Sequence, residues 1–283
     1  MIYRLIITII IFSIFQSCDK IKYYPDKDYH EVKTLILAHK AGGGDSSRYQ
    51  ENSTDAAKYS LSIVDGIEVD LQISKDKTIW LAHNADLSDC GGVSYDCFPE
   101  TTDNQIINLD SCNGNTLNYS RLEEIFAFLS SSYPNKYISL DVKTWLPCAV
   151  TSSDVLGVMN VIADEIIRLT GKYNLQNHVM VESETASFLN YLKNNSIGIE
   201  VYLTSFGDFE RAMQLCLESK YSGISFKYKF GEEIGIENIQ LIRRKGLKIQ
   251  LWTVDSEENI NEAISINPDF IQTDNLKYFE KLK

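Results

Sequence analysis

Short apolar runs in this sequence repeatedly stop on a group that can do chemistry. Leu35-Ile36-Leu37-Ala38 delivers His39, and Trp80-Leu81-Ala82 delivers His83. Ile67-Glu68-Val69-Asp70 carries two carboxylates two residues apart, and Asp141-Val142-Lys143 carries an acid and an amine at the same spacing. Residues two apart in a strand point the same way, so each pair shares one face. Taken singly, each group has an ordinary explanation, since a strand acid is usually solvated and a histidine is usually a satisfied structural residue. Taken together, at successive strand ends and with two of only four histidines among them, they read as one site. Charges inside a fold are costly unless paired or metal-bound. Glu68, Asp70 and Asp141 therefore read as three oxygen ligands for a hard divalent cation, calcium or magnesium.

Such groups meet only if the strands run parallel and open at a common end. The strand candidates are Leu35 to Ala38, Ile67 to Leu71, Ile79 to Ala82, Tyr137 to Val142, His178 to Val181, Gly198 to Leu203, Gly223 to Phe226, Lys248 to Thr253 and Phe270 to Thr273. Helical periodicity is clearest at Ser120 to Ser130, Val155 to Leu169, Glu184 to Asn194, Glu237 to Lys245 and Ser256 to Ile266. Alternation of this kind predicts an α/β fold built as a (β/α)8 barrel of the TIM type. Such a barrel forms its site at the C-terminal ends of its strands. Nine candidates for eight staves leave one excursion, and Ile79 to Ala82 is assigned as a hairpin continuation of the second stave. Asn84 to Asn118, rich in Asn, Asp and Gly, is read as an inserted cap or loop near the site.

The 283 residues and 32.2 kDa suit one barrel domain, placed at 32–283. A net charge of -12 argues against nucleic-acid binding, because that needs basic surface to displace counterions. Arg4 followed by the apolar run Leu5 to Phe15 reads as a signal peptide over 1–17, too short to span a bilayer comfortably. Ser17-Cys18 resembles the end of a bacterial lipobox, so Cys18 is the expected lipidation site, 18–31 a tether, and the cell envelope the expected location, with the membrane reached through the acyl anchor. Export favours disulfides among the loop cysteines Cys90, Cys97, Cys112 and Cys148, with the pairing open. Cys216, in a helical pattern, is expected to be a buried free thiol.

The segments His39-Lys40-Ala41-Gly42-Gly43, Glu51-Asn52-Ser53, Gly66-Ile67-Glu68-Val69-Asp70, His83-Asn84, Leu140-Asp141-Val142-Lys143, Trp252-Thr253-Val254 and Thr273-Asp274-Asn275 resemble, in order, the motif series of glycerophosphodiester phosphodiesterases. The resemblance covers the chain from about Val32 onward. It implies a TIM-type barrel, a divalent metal on Glu68, Asp70 and Asp141, and His39 and His83 as an acid/base pair. The implied reaction is cleavage of small glycerophosphodiesters to an alcohol and glycerol 3-phosphate. By charge placement Lys40 and Lys143 would hold phosphate oxygens, and Trp252, at the end of a late strand, reads either as a wall against the glycerol carbons or as barrel core. Glu182, Glu200 and Lys227 are further candidates for the mouth. The sequence departs from the family pattern at three places. Lys40 stands where Arg is usual and loses its two-pronged grip; Arg48 reads either as a cation reaching back to compensate or as a solvated loop arginine. Gln50 stands where Pro is common. Asp141 replaces the usual Glu, shortening one ligand by a methylene. Two other readings keep the barrel: a phospholipase C- or D-like enzyme acting on intact lipids, and an envelope lipoprotein that binds a phosphorylated ligand without turnover.

Overall fold

The computed structural model describes Asp26 and residues 32–42, 44, 49–88, 97–109, 119–143, 152–228 and 236–282. In chain order the elements are β1 (Leu35–Ala38), α1 (Thr54–Leu61), β2 (Gly66–Ile73), β3 (Ile79–Leu81), α2 (Asp103–Ile107), α3 (Leu122–Ser132), β4 (Tyr137–Asp141), α4 (Ser152–Tyr173) and β5 (Val179–Ser183). They continue with α5 (Ala186–Asn195), β6 (Glu200–Ser205), α6 (Phe209–Ser219), β7 (Gly223–Lys227), α7 (Ile236–Arg244), β8 (Lys248–Trp252), α8 (Glu257–Ser265), β9 (Phe270–Thr273) and α9 (Leu276–Glu280).

Eight strands pair in parallel in the order β1-β2-β4-β5-β6-β7-β8-β9, and β9 pairs back onto β1. The sheet is therefore a closed (β/α)8 barrel, the architecture expected from the βα alternation. β3 is the excursion: it runs antiparallel on β2, with Leu71 opposite Leu81 and Ile73 opposite Ile79.

Closure explains why β2 is buried along its whole length. Ile67, Val69 and Leu71 belong to the core shared with Ile125, Phe126 and Ile162 of the surrounding helices, while the alternate residues Glu68 and Asp70 take the barrel interior. That interior is layered. Leu37, Met180, Tyr202 and Phe270 pack as an apolar floor. Above it lies a buried polar layer of Glu68, Ser139, Glu182, Ser225, Gln250 and Gln272. The Glu182 carboxylate accepts from Ser139 Oγ at 2.9 Å, Gln272 Nε2 at 2.6 Å and Ser225 Oγ at 2.5 Å. It is fully hydrogen-bonded, as a buried acid must be.

The insertion departs from barrel alternation. Of its described residues, 84–88 and 97–109, the second stretch carries a 3-10 turn at Phe98–Glu100 and α2, whose Thr102 and Gln105 form a capping box. Phe98, Ile106 and Leu87 join Trp80 and Tyr119 in a small second core beside β3. Asp103 fixes that core by accepting from Ser74 Oγ, Thr78 Oγ1 and Trp80 Nε1 at 2.6, 2.5 and 3.0 Å.

Cys97 is disulfide-bonded, and Cys216 is a buried free thiol pushed up to about 12 by burial. Cys18, Arg48, Cys90, Cys112 and Cys148 lie outside the described residues, as do the signal segment and all of the tether except Asp26. Among the described residues no helix is long and apolar enough to cross a membrane.

Candidate active site

The C-terminal ends of the staves open on one cavity of about 440 Å³, within the usual size of a small-molecule site. Its lining includes His39, Lys40, Glu68, His83, Asp141, Lys143 and Trp252, residues drawn from four staves and the segments that follow them. Asp70, two residues further along β2 than Glu68, completes the acidic group. One carboxylate oxygen from each of Glu68, Asp70 and Asp141 lies within 4.8 Å of the others. β2 and β4 explain this convergence, because Asp70 and Asp141 are register partners and Glu68 sits one pleat below. Three buried or half-buried hard oxygen donors around one point fit a divalent cation of the calcium or magnesium type.

The supporting contacts are as specific as the acids. Asn52 holds Asp70 from two directions: its Nδ2 donates to Asp70 Oδ2 at 2.9 Å, and its Oδ1 accepts from the Asp70 backbone N–H at 3.0 Å. The chain reaches this position through left-handed backbone at Lys40, Ala41 and Asn52. The turn also aims the Lys40 N–H at Glu68 Oε2, 2.8 Å away. Ser53 then caps α1 by accepting from Ala56 N. Lys143 pairs with Asp70 and lies 3.0 Å from Asp141 Oδ2, and Lys40 Nζ lies 3.1 Å from Glu51 Oε2.

His39 Nδ1 is 2.9 Å from Asp274 Oδ1. Because a carboxylate only accepts, Nδ1 carries the proton, and Nε2 lies 3.8 Å from Glu68 Oε2. His83 follows β3, with Nδ1 3.2 Å from Asn84 Oδ1.

The crowd of acids sets the protonation of the site. Burial pulls the His39 imidazole down, but the Asp274 hydrogen bond and the charges of Glu68, Asp274 and Asp70 outweigh it and raise it to about 9. Burial, reinforced by Asp70, pushes Glu68 well above the carboxylate range. For Asp70, burial acts upward but is overcome by Lys143, His83 and Asn52, leaving it below its ordinary value. Lys143 is pulled down by burial and pushed up further by Asp141 and Asp70. Glu182, raised mainly by burial and then by Asp141, against the three donors that favour its charged form, reaches about 7.

Of the described residues singled out in the sequence for catalysis, metal or phosphate, His39, Lys40, Glu68, His83, Asp141, Lys143 and Trp252 line this mouth and Asp70 joins them through the acidic group, and Glu182 and Lys227 line it as well. Glu200 does not. It starts β6 at the opposite end of the barrel, where its carboxylate accepts from Tyr202 OH at 3.0 Å and pairs with Lys248 at 2.5 Å. A charged residue that begins a stave points to the floor rather than the mouth. Sequence reading placed Asn52 and Asp274 inside motifs but gave them no task, because their partners are 18 and 235 residues away.

The sequence model of the Glycerophosphoryl diester phosphodiesterase family matches residues 43–277. The chain is 24% identical to glycerophosphodiester phosphodiesterase GDPD4 of Arabidopsis thaliana over 273 residues, covering 94% of this chain and 76% of that protein. It is also 24% identical to a glycerophosphodiester phosphodiesterase of Caldanaerobacter subterraneus over 249 residues, covering 86% and 95%. The fold resembles an Oleispira antarctica phosphodiesterase solved in complex with the product sn-glycerol-3-phosphate, with a TM-score of 0.72, 15% identity, and 87% and 95% of the two chains covered. With the family match spanning most of the barrel, the chain belongs to the glycerophosphoryl diester phosphodiesterase family and is a phosphoric diester hydrolase.

Proposed function

We propose that the protein hydrolyses water-soluble glycerophosphodiesters to an alcohol and glycerol 3-phosphate, using a divalent cation on Glu68, Asp70 and Asp141 and the histidine pair His39 and His83. The observation that carries this reading is the convergence of three carboxylate oxygens within 4.8 Å beside two imidazoles on one cavity. The Oleispira antarctica enzyme, with the same fold, was solved with sn-glycerol-3-phosphate, a product of the proposed reaction.

A phosphodiester monoanion repels nucleophiles, so the site must first neutralise its non-bridging oxygens. When bound, the cation supplies a local positive charge there. Lys40 and Lys143 supply the protein's own positive charge on the same side of the cavity, and their fixed ion pairs place it before the substrate arrives. Following the family resemblance, the glycerol 2-hydroxyl attacks phosphorus first, and water then opens the resulting cyclic phosphate. In each step one histidine takes the proton of the attacking oxygen and the other gives a proton to the departing oxygen, with the roles exchanged in the second step. Asp274 keeps His39 oriented with Nε2 toward the cavity, so that proton transfer occurs at that atom. Anchoring through diacylated Cys18 would hold the enzyme in the cell envelope. That proposal rests on the apolar run ending at Ser17-Cys18.

The test is release of alcohol and glycerol 3-phosphate from a panel of glycerophosphodiesters by protein beginning at Asp19, with calcium, magnesium or manganese added. We expect turnover that chelation abolishes, and losses on the order of 10²- to 10⁴-fold in kcat for His39→Ala or His83→Ala. Wild-type protein inert on the whole panel would instead mark a ligand-binding module, and cleavage confined to lipid vesicles would mark a phospholipase.

A further inference from the structure

The wall of the cavity opposite the acids differs in chemistry from the phosphate side. In an eight-stave barrel ordered β1-β2-β4-β5-β6-β7-β8-β9, β7 faces β2 and β8 faces β4. Lys227 and Trp252, the last residues of β7 and β8, are register partners. They stand side by side across the mouth from Asp70 and Asp141. The Lys227 ammonium lies 5.9 Å over the Trp252 ring, within the range of a cation–π contact. Phe206 meets the same indole edge-on, with centroids 5.6 Å apart and planes at 90°. The charge is therefore held at one place, on an aromatic platform, at the edge of the cavity. Two polar atoms on this wall, Thr204 Oγ1 and Trp252 Nε1, are buried without a hydrogen-bond partner. Both residues line the cavity, and buried polar atoms in such positions are ordinarily satisfied by a ligand or water. The indole N–H can only donate, and the threonine hydroxyl can donate.

With the scissile phosphate held by the β1, β2 and β4 side, one half of the diester extends toward this wall, and Lys227 beside Trp252 suits a charged alcohol there better than the uncharged glycerol carbons first expected against Trp252. We propose that Lys227, seated over Trp252, which Phe206 backs edge-on, is a specificity-determining residue that selects glycerophosphodiesters whose alcohol carries a further anionic substituent, such as a second phosphate monoester. This deepens the proposed function and rests on it. The aromatic faces cover the carbon skeleton of the alcohol, Lys227 meets its anion, and the donors of Thr204 and Trp252 add hydrogen bonds to acceptor oxygens. Glu184, exposed beyond the end of β5 and two staves from Lys227, also lines the cavity. It acts in the opposite sense, so a dominant Glu184 would favour a cationic alcohol.

The experiment uses matched substrates: glycerophosphoinositol, its inositol 4-phosphate derivative and glycerophosphocholine, with kcat and KM measured separately in saturating divalent cation. Wild-type protein should favour the 4-phosphate over the unphosphorylated compound by about 10-fold or more in kcat/KM, chiefly through a lower KM. Lys227→Gln should collapse that ratio, Lys227→Arg should keep it, and Lys227→Glu should shift preference toward the choline ester. A wild-type preference for glycerophosphocholine, equal use of all three, or a Lys227→Gln variant that slows all three equally would each overturn the proposal while leaving the hydrolytic reading intact. Failure to cleave any diester would overturn both.

Discussion

Asn52 uses both ends of its carboxamide on Asp70, and no other described side chain holds an acid of the site through both the backbone and the side chain. Supports of this kind orient metal ligands, and their loss typically lowers metal affinity or activity by about 10- to 100-fold. Asn52→Ala should therefore weaken divalent-cation binding by that factor in calorimetric titration while leaving the fold intact by circular dichroism; unchanged affinity would show that Asp70 is oriented without it. The His39–Asp274 pair makes a separate prediction about pH. The His39 imidazole is raised from 6.5 to about 9 in the folded protein. The stability it contributes is complete below about pH 6.5 and is lost as pH rises through about 9. At about 1.36 kcal/mol per unit, the loss amounts to about 3 kcal/mol. Thermal unfolding in chelator from pH 6 to 10 should show this decline for wild-type protein and a flatter curve for Asp274→Asn, whereas equal slopes would remove Asp274 as the source. Strand-end acids and histidines were readable because an apolar run that stops on a charge is a local pattern. Asn52 and Asp274 were not, since their tasks depend on register and barrel closure, which no local window contains.

Among the elements, the staves were more legible than what connects them. Leu35–Ala38 and Phe270–Thr273 fall where apolar periodicity places them, while β5 and β6 run two residues further than their apolar runs, to Ser183 and Ser205. The reason is physical: the barrel interior accepts polar residues, so Glu182, Ser183 and Thr204 continue the strands by backbone pairing after hydrophobicity ends. α1 escaped the helical reading because Thr54–Leu61 is short and carries Thr, Asp, Lys, Tyr and Ser among its apolar positions. It forms because Ser53 caps it and because Ala56, Ala57 and Leu61 pack against the barrel. The insertion was legible as an insertion but not as a second core, which depends on Asp103 gathering three donors from the β2–β3 hairpin. Asp103→Ala leaves the Trp80 indole N–H and two hydroxyls to find new partners, at a cost of about 1–3 kcal/mol. Guanidinium unfolding should show the midpoint falling accordingly, and the loss should concentrate in amide protection of 97–109 and β3. A loss spread evenly over the staves would mean that the insertion has no core of its own.

At the scale of the whole molecule, the site exists only because the sheet closes. β1 and β9 pair over four register positions, Leu35 with Phe270 through Ala38 with Thr273. The residue after each strand, His39 and Asp274, then forms the imidazole–carboxylate contact. What the site needs is this pairing, not the order in which the chain visits the staves. The segment between α5 and β6 offers a place to test that separation, because Ile197 is 91% exposed and lies at the floor end, away from the cavity. A circular permutant that joins residue 282 to residue 32 through a flexible linker and opens between Ser196 and Ile197 keeps every stave pairing. Gly198, in left-handed backbone and close against Gln176 and Asn177, stays in place. New termini at exposed loops are generally tolerated, so the permutant should keep wild-type far-ultraviolet circular dichroism and divalent-cation affinity. A permutant opened between Val69 and Asp70 separates two acids of one stave and should lose the cation even where helix content survives. If both permutants bound the cation equally well, the acids would be held by something other than the closed sheet. If neither folded, the β1–β9 seam would depend on chain order rather than on pairing alone.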